Sequence, residues 1–232
     1  MRTQSLLATL SILGLAGCAP TAAPAAAPTP SAAITASPAP GTTFIAPAGH
    51  DRALGMTVRL PTEGWHYDDI ALGFAKGDEV NDLPEATLLL WSFPAGTEFW
   101  VYGDPCQWAS TKPDTPAFTP DEMVAGLAAQ VSRGASDPVD VTIGGYSGKS
   151  ITLHVPDDAV FDGCDLGDFT SYGVTGDEPT RYHQGPAQID EFWIVDVDGS
   201  IAVLDATYRA DTPDQLIEDM RGIVESATFD KP

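Results

Sequence analysis

The chain reads as an α+β domain, a largely antiparallel, twisted sheet packed by two main helices. Three observations predict this. Short runs rich in β-branched and aromatic residues recur from residue 56 to residue 208, separated by Gly- and Pro-containing turns. Two later segments open on Thr-Pro and carry apolar residues at helical spacing. Asp198-Gly199 stands between two alternating runs, where both turn residues of a type I′ hairpin need positive φ. Sequential hairpins imply antiparallel pairing, and helices are needed to cover the apolar faces of the sheet.

In chain order, residues 56–60 and 65–75 are predicted as the first strands, joined by a turn at 61–64. Residues 87–93 and 98–102 follow, separated by Pro94-Ala95-Gly96. Residues 104–118 form a proline-rich loop with Cys106 and Trp108. Thr119, Pro120 and Glu122 then spell an N-cap, a first helical position and a capping box. Met123, Val124, Leu127, Ala128 and Val131 share one face of that helix. Residues 139–143 and 149–155 are strands around the turn 144–148, and a long loop runs from 156 to about 188. The hairpin 191–197/200–208 leads into a second helix. Thr212, Pro213 and Gln215 repeat the start signals, and Leu216, Ile217, Met220, Ile223 and Val224 supply its buried stripe.

The first 42 residues have a different character. Arg2 precedes an apolar run from Leu6 to Leu15 that ends in Leu15-Ala16-Gly17-Cys18. About ten apolar residues suit a signal peptide, whereas a membrane span needs roughly 20. The Leu-Ala-Gly-Cys ending is a bacterial lipobox, so cleavage before Cys18 and acylation of that cysteine are expected. Residues 1–17 are then a leader, 18–42 a lipidated cysteine with an Ala/Pro/Thr linker, and 43–232 one extracytoplasmic domain. The linker has no charge and too little apolar surface to order itself. Fully extended, it would reach roughly 75 Å at about 3.1 Å per residue. Acyl chains would hold the protein on the outer face of the cytoplasmic membrane.

Acidic residues number 33 against 11 basic ones, for a formal charge of −22. Such a surface repels nucleic acid and anionic headgroups. With Cys18 assigned to lipid, Cys106 and Cys164 remain as an even pair in an oxidising compartment and are expected to bond. Closing a loop of about 58 residues is worth about 4 kcal/mol on the chain-entropy estimate.

Gly148-Lys149-Ser150 ends like a phosphate-binding loop, but position 143 is Ile143 and the residues that follow read as a strand. Ser147 lacks the second glycine of a nucleophile elbow, since Lys149 occupies that position. His50, His66, His154 and His183 form no helical metal pair. Asp196 and Asp198 fail as a calcium-binding loop because position twelve is Thr207. Asp162, Asp165 and Asp168 are left as a calcium candidate. Arg181, Tyr182 and His183 in the long loop, together with Trp108, are the candidate binding residues. Trp91, Phe93, Phe99, Trp100, Tyr102, Phe192 and Trp193 serve either the core or an exposed aromatic surface.

Pro61, Gly64 and Trp65, the Gly144–Gly148 turn, and the closing Ile223-Val224-Glu225-Ser226 before Phe229 resemble Mog1/PsbP-like domains of actinobacterial lipoproteins of the LpqN type. The resemblance implies an αβα sandwich with a binding or scaffolding role, and carries no catalytic residues or cofactor to this chain. The expected function is a non-catalytic, membrane-anchored module that binds an envelope protein, glycan or lipid. The alternatives are an envelope hydrolase and a calcium-dependent adhesion module.

Overall fold

The structure, a computed structural model, describes residues 41–48, 52–68, 72–80, 83–174 and 179–230. The leader, Cys18, the linker up to residue 40 and His50 lie outside the described residues. The elements in order are β1 (Thr42–Ala46), β2 (Gly55–Leu60), β3 (His66–Asp68), β4 (Gly73–Val80), β5 (Leu83–Phe93), β6 (Phe99–Val101), α1 (Pro120–Ala128), β7 (Val139–Ile143), β8 (Tyr146–His154), β9 (Tyr172–Val174), β10 (Gln188–Val197), β11 (Ser200–Arg209), α2 (Asp214–Glu225) and β12 (Thr228–Asp230). The α+β class and the antiparallel sheet hold.

Seven strands form the main sheet in the order β3-β4-β5-β11-β10-β8-β7. A three-stranded sheet, β1-β2-β12, and a two-stranded one, β6-β9, accompany it. Alternation along each central strand divides its side chains between two cores. Trp193 and Val195 of β10, Leu204 and Ala206 of β11, and Leu88 and Leu90 of β5 pack with Met220, Ile223 and Val224 of α2 and with Met56 and Val58 of β2. Phe192 and Ile194 of β10 and Ile201 and Val203 of β11 pack with Met123, Val124 and Leu127 of α1 and with Phe99 and Tyr172. Full burial of each large side chain contributes about 1.5–3 kcal/mol.

The central hairpin forms as expected. Val197 pairs with Ser200, and φ is 53° at Asp198 and 94° at Gly199. The capping box of α1 is complete, since Thr119 accepts from Glu122 N at 3.2 Å and Glu122 Oε2 accepts from Thr119 N at 3.2 Å. The helix stops earlier than its apolar stripe suggests, because Val131 N bonds to Gly103 O and the Val131 side chain is 55% exposed. At α2 the expected box is absent. Thr212 Oγ1 donates to Glu85 O, Pro213 is the cap without a side-chain bond, and Gln215 turns to Asp219. The expected strand 65–75 is instead the hairpin β3/β4, and β1 begins at Thr42, the last residue of the expected linker. Gly144 and Gly145 make the turn with φ of 59° and 87°, while Tyr146, Ser147 and Gly148 already belong to β8.

Cys106 and Cys164 are bonded, tying the loop after β6 to the long loop before β9. Val155, Cys164 and Phe169 form a small core there, with Phe161 stacked on Phe169.

Candidate functional site

Asp190 and Asp205 face the α1 side of the main sheet at positions where alternation calls for apolar residues. Asp190 precedes Phe192 and Ile194 on the same face and pairs with Thr207, while Asp205 stands opposite Phe192. Both carboxylates are fully buried. Buried charge of this kind requires partners, and three segments supply them. Arg133 comes from the turn after α1, Ser171 from the approach to β9, and Arg181 with His183 from the stretch before β10.

Asp190 receives Arg133 Nη2 at 2.7 Å on one oxygen and Arg181 Nη2 at 2.7 Å on the other. Gln188 Nε2 at 2.6 Å and Thr207 Oγ1 at 3.1 Å donate to that second oxygen. Arg181 Nε reaches Asp205 Oδ2 at 2.5 Å, and its Nη1 donates to Tyr182 O. Arg133 Nε donates to His154 O at 3.0 Å. Two guanidiniums therefore balance two carboxylates inside the fold.

His183 Nε2 lies 2.8 Å from Arg133 Nη1, and Nδ1 lies 3.0 Å from Asp190 Oδ2. A guanidinium only donates, so Nε2 must accept, and the proton sits on Nδ1 facing the carboxylate, while Gln188 Nε2, 3.0 Å from Nδ1, donates instead to Asp190 Oδ1 at 2.6 Å. His183 is thereby held neutral. Burial, with repulsion from Arg133 and Arg181, pushes it down to about 3 despite the pull of Asp190. Burial also works to raise Asp190, but His183, Arg181 and Arg133 outweigh it and hold that group well below the usual carboxylate range. Asp205 has one close cation. Burial together with the charge of Asp190 overrides Arg181 and pushes Asp205 up to about 7.

Ser171 Oγ stands 2.8 Å from His183 Nε2, so Ser171, His183 and Asp190 fall in the order of a nucleophile–base–orienter triad. The chemistry is closed off. Arg133 Nη1 donates to both Nε2 and, at 2.7 Å, Ser171 Oγ, which leaves the hydroxyl proton for Gln130 Oε1 at 3.3 Å. A base whose lone pair is engaged and whose pKa is about 3 cannot take a proton at neutral pH. Ser171 itself is fully buried.

Of the binding candidates, Arg181 and His183 point into this cluster, while Tyr182 between them is 40% exposed. Trp108 lies apart beside the disulfide, its Nε1 donating to Asp165 O at 3.0 Å. The calcium candidate does not assemble. Asp165 Oδ2 accepts from Ala109 N, Asp162 points to solvent, and among the described residues no three such side chains converge on a metal position. Of the two roles open to the aromatic group, core packing holds for most of it, since Phe99, Tyr102, Phe192, Trp193 and Trp108 are buried and Trp91, Phe93 and Trp100 are half-buried. Arg133, Ser171, Asp190 and Asp205 were not among the sequence candidates. The inward register of the two aspartates within apolar strands was their one sequence signal.

An open concavity of about 600 Å³ lies elsewhere, on the outer side of β1, β2 and β12 beside α2. Thr43, Thr57, Ser226 and Thr228 line it with hydroxyls, and Arg59 and Glu225 add one charge of each sign.

No known family profile matches the chain, and neither does any curated protein sequence. Among solved structures it is similar to LpqN of Mycobacterium tuberculosis, described as involved in cell envelope biogenesis. Identity is 16% over 83% of this chain and 86% of that one, with a TM-score of 0.36. It is also similar to the cyanobacterial PsbP of Synechocystis, at 14% identity over 74% of this chain and 85% of that one, with a TM-score of 0.35.

Proposed function

We propose that this chain is a cell-envelope lipoprotein with a Mog1/PsbP-like domain that binds another envelope component without catalysing a reaction on it. The observation that carries the non-catalytic reading is the state of the Ser171–His183–Asp190 group. Each member is buried and the imidazole lone pair accepts from Arg133. What a ligand reaches from outside is the hydroxyl-lined concavity and the acidic surface. The pairing of Cys106 with Cys164 suits an oxidising compartment and leaves Cys18 as the odd cysteine, free for acylation at the lipobox.

The experiment has two arms. Cell fractionation of wild type and Cys18→Ser tests the anchor: wild type is expected in the membrane fraction and the variant in the soluble one, and full membrane partition of the variant overturns the lipoprotein reading. Crosslinking on intact cells, with the captured envelope component identified and then rebound by the purified domain, tests the binding role.

The triad order gives the hydrolase reading a specific observation of its own. A serine-reactive fluorophosphonate separates the two: labelling of Ser171 in the folded protein supports a hydrolase.

A further inference from the structure

Residues 179–183 run along 169–173 as an extended stretch, and a turn at 185–187 leads from them into β10. Thr180 N and Arg181 N both donate to Tyr172 O at 3.0 Å, Ser171 N donates to Arg181 O at 3.0 Å, and His183 N donates to Phe169 O at 2.9 Å. Successive side chains alternate, so Arg181 and His183 enter the sheet while Tyr182 faces out. The attachment of this stretch to β10 and β11 is almost wholly polar: Arg181 to Asp190, Asp205 and Thr207, and His183 to Asp190.

We propose that residues 179–187 form a strap clamped to the sheet by Arg181 and neutral His183, whose opening is coupled to uptake of a proton by the freed imidazole.

The geometry carries this. A second proton on His183 belongs on Nε2, which lies 2.8 Å from Arg133 Nη1 in a site without water-exposed surface. Two N–H donors on two cations would then face each other. The closed strap therefore excludes the proton that a solvated histidine accepts near pH 6.5. The groups around the ring come from the neighbouring elements: Arg133 after α1, Ser171 before β9, Gln188 and Asp190 of β10, Arg181 of the strap itself, and the Phe169 ring at 5.6 Å, with Asp205 of β11 and Tyr172 of β9 behind Arg181. Asp190 alone favours the imidazolium through a direct contact, and its oxygens are already taken by Arg133, Arg181, Gln188 and Thr207. The depressed titration of His183, about 3, agrees.

Release uncovers Asp190 and Asp205 together with Trp91, whose ring lies 6.0 Å from Arg181 Cζ. An external partner then meets a different surface in the open form than in the closed one. The strap belongs to the fold itself and stands whether or not the chain is tethered or binds an envelope component.

The test is hydrogen exchange on the intact chain at pH 7.5 and 5.0, corrected for intrinsic exchange rates, in wild type and His183→Gln. Uptake of one proton with an open-state pKa near 6.5 by itself favours strap opening about 30-fold over that interval. The pH-dependent acceleration of the Thr180, Arg181 and His183 amides is expected to be about 30-fold larger in wild type than in the variant. Asp205, raised to about 7 in the closed form, opposes opening in acid in both proteins and drops out of the comparison. Amides of Ile194 and Val203 in the central hairpin are expected to show no such difference. Equal acceleration in both proteins, or equal acceleration of strap and hairpin, overturns the proposal. Should His183→Gln fail to fold, nitrogen NMR of the wild-type ring decides. A neutral, Nδ1-protonated ring at both pH values supports the strap, and an ordinary midpoint near 6.5 in the closed state overturns it.

Discussion

Arg133 Nη2 stands 2.7 Å from Asp190 Oδ2, and neither side chain has any exposed surface. Arg181 shares the same carboxylate, so Asp190 is the hub through which two cations from separate segments reach the sheet. Removing the hub strands Arg133 and leaves Arg181 with Asp205 as its one carboxylate. Asp190→Asn is expected to cost about 3–5 kcal/mol, the range for breaking a buried pair from one side. Guanidinium denaturation of wild type and variant measures it, and a loss below about 1 kcal/mol contradicts the geometry.

The engaged lone pair of His183 makes a chemical prediction. With Arg133 donating to Nε2, Ser171 is not activated, so a fluorophosphonate probe leaves it unlabelled in the folded protein. Mass spectrometry of the Ser171 peptide reads the result. A stoichiometric adduct there would overturn the non-catalytic reading.

The disulfide acts on the unfolded chain. Its 58-residue separation corresponds to about 4 kcal/mol of loop-closure entropy. Replacing both cysteines by alanine is expected to lower stability by that order while leaving the β10/β11 hairpin paired. Denaturation curves give the first quantity and amide protection the second.

Where residues decide structure within one turn, the sequence was legible. Thr119, Pro120 and Glu122 announce α1 because every partner lies within three residues, and Asp198-Gly199 announces the hairpin for the same reason. The twin signal at Thr212 misled, because a distant acceptor, Glu85 O, takes its hydroxyl. Strands β9 and β12 have three residues each, too few for alternation to register. The buried cluster was half visible. Arg181 and His183 stood out as polar loop residues, but their direction depends on Asp190, Asp205 and Arg133, which only the tertiary fold brings to them.

Gly148 marks a place where two backbones touch. A Cβ there would lie 2.1 Å from Ile194 O and 2.7 Å from Val195 Cα, neither of which moves without disturbing the β8–β10 ladder. Gly148→Ala is expected to cost about 1–3 kcal/mol. Gly163→Ala, whose Cβ meets nothing within 4 Å, serves as the control and is expected to be near neutral. Thermal melts of the two variants under one condition separate them.

Stability should depend on pH through two opposed groups. His183 titrates at about 3 when folded against 6.5 when unfolded, so the unfolded chain binds the extra proton between those values. Its contribution is complete above pH 6.5 and is lost as pH falls toward 3. Asp205 is raised to about 7 from 3.8, so the folded chain holds the extra proton, and its contribution is lost as pH rises from about 4 to 7. Each slope is about 1.4 kcal/mol per pH unit, and the signs cancel between about pH 4 and 6.5. Wild-type stability is therefore expected to vary little across that window. His183→Gln leaves the Asp205 slope, so that variant becomes less stable as pH rises from 4.5 to 6.5. Asp205→Asn leaves the His183 slope, so that variant becomes more stable over the same interval. Denaturant midpoints at the two pH values for the three proteins decide it, and parallel profiles would show that His183 and Asp205 do not titrate as their surroundings require.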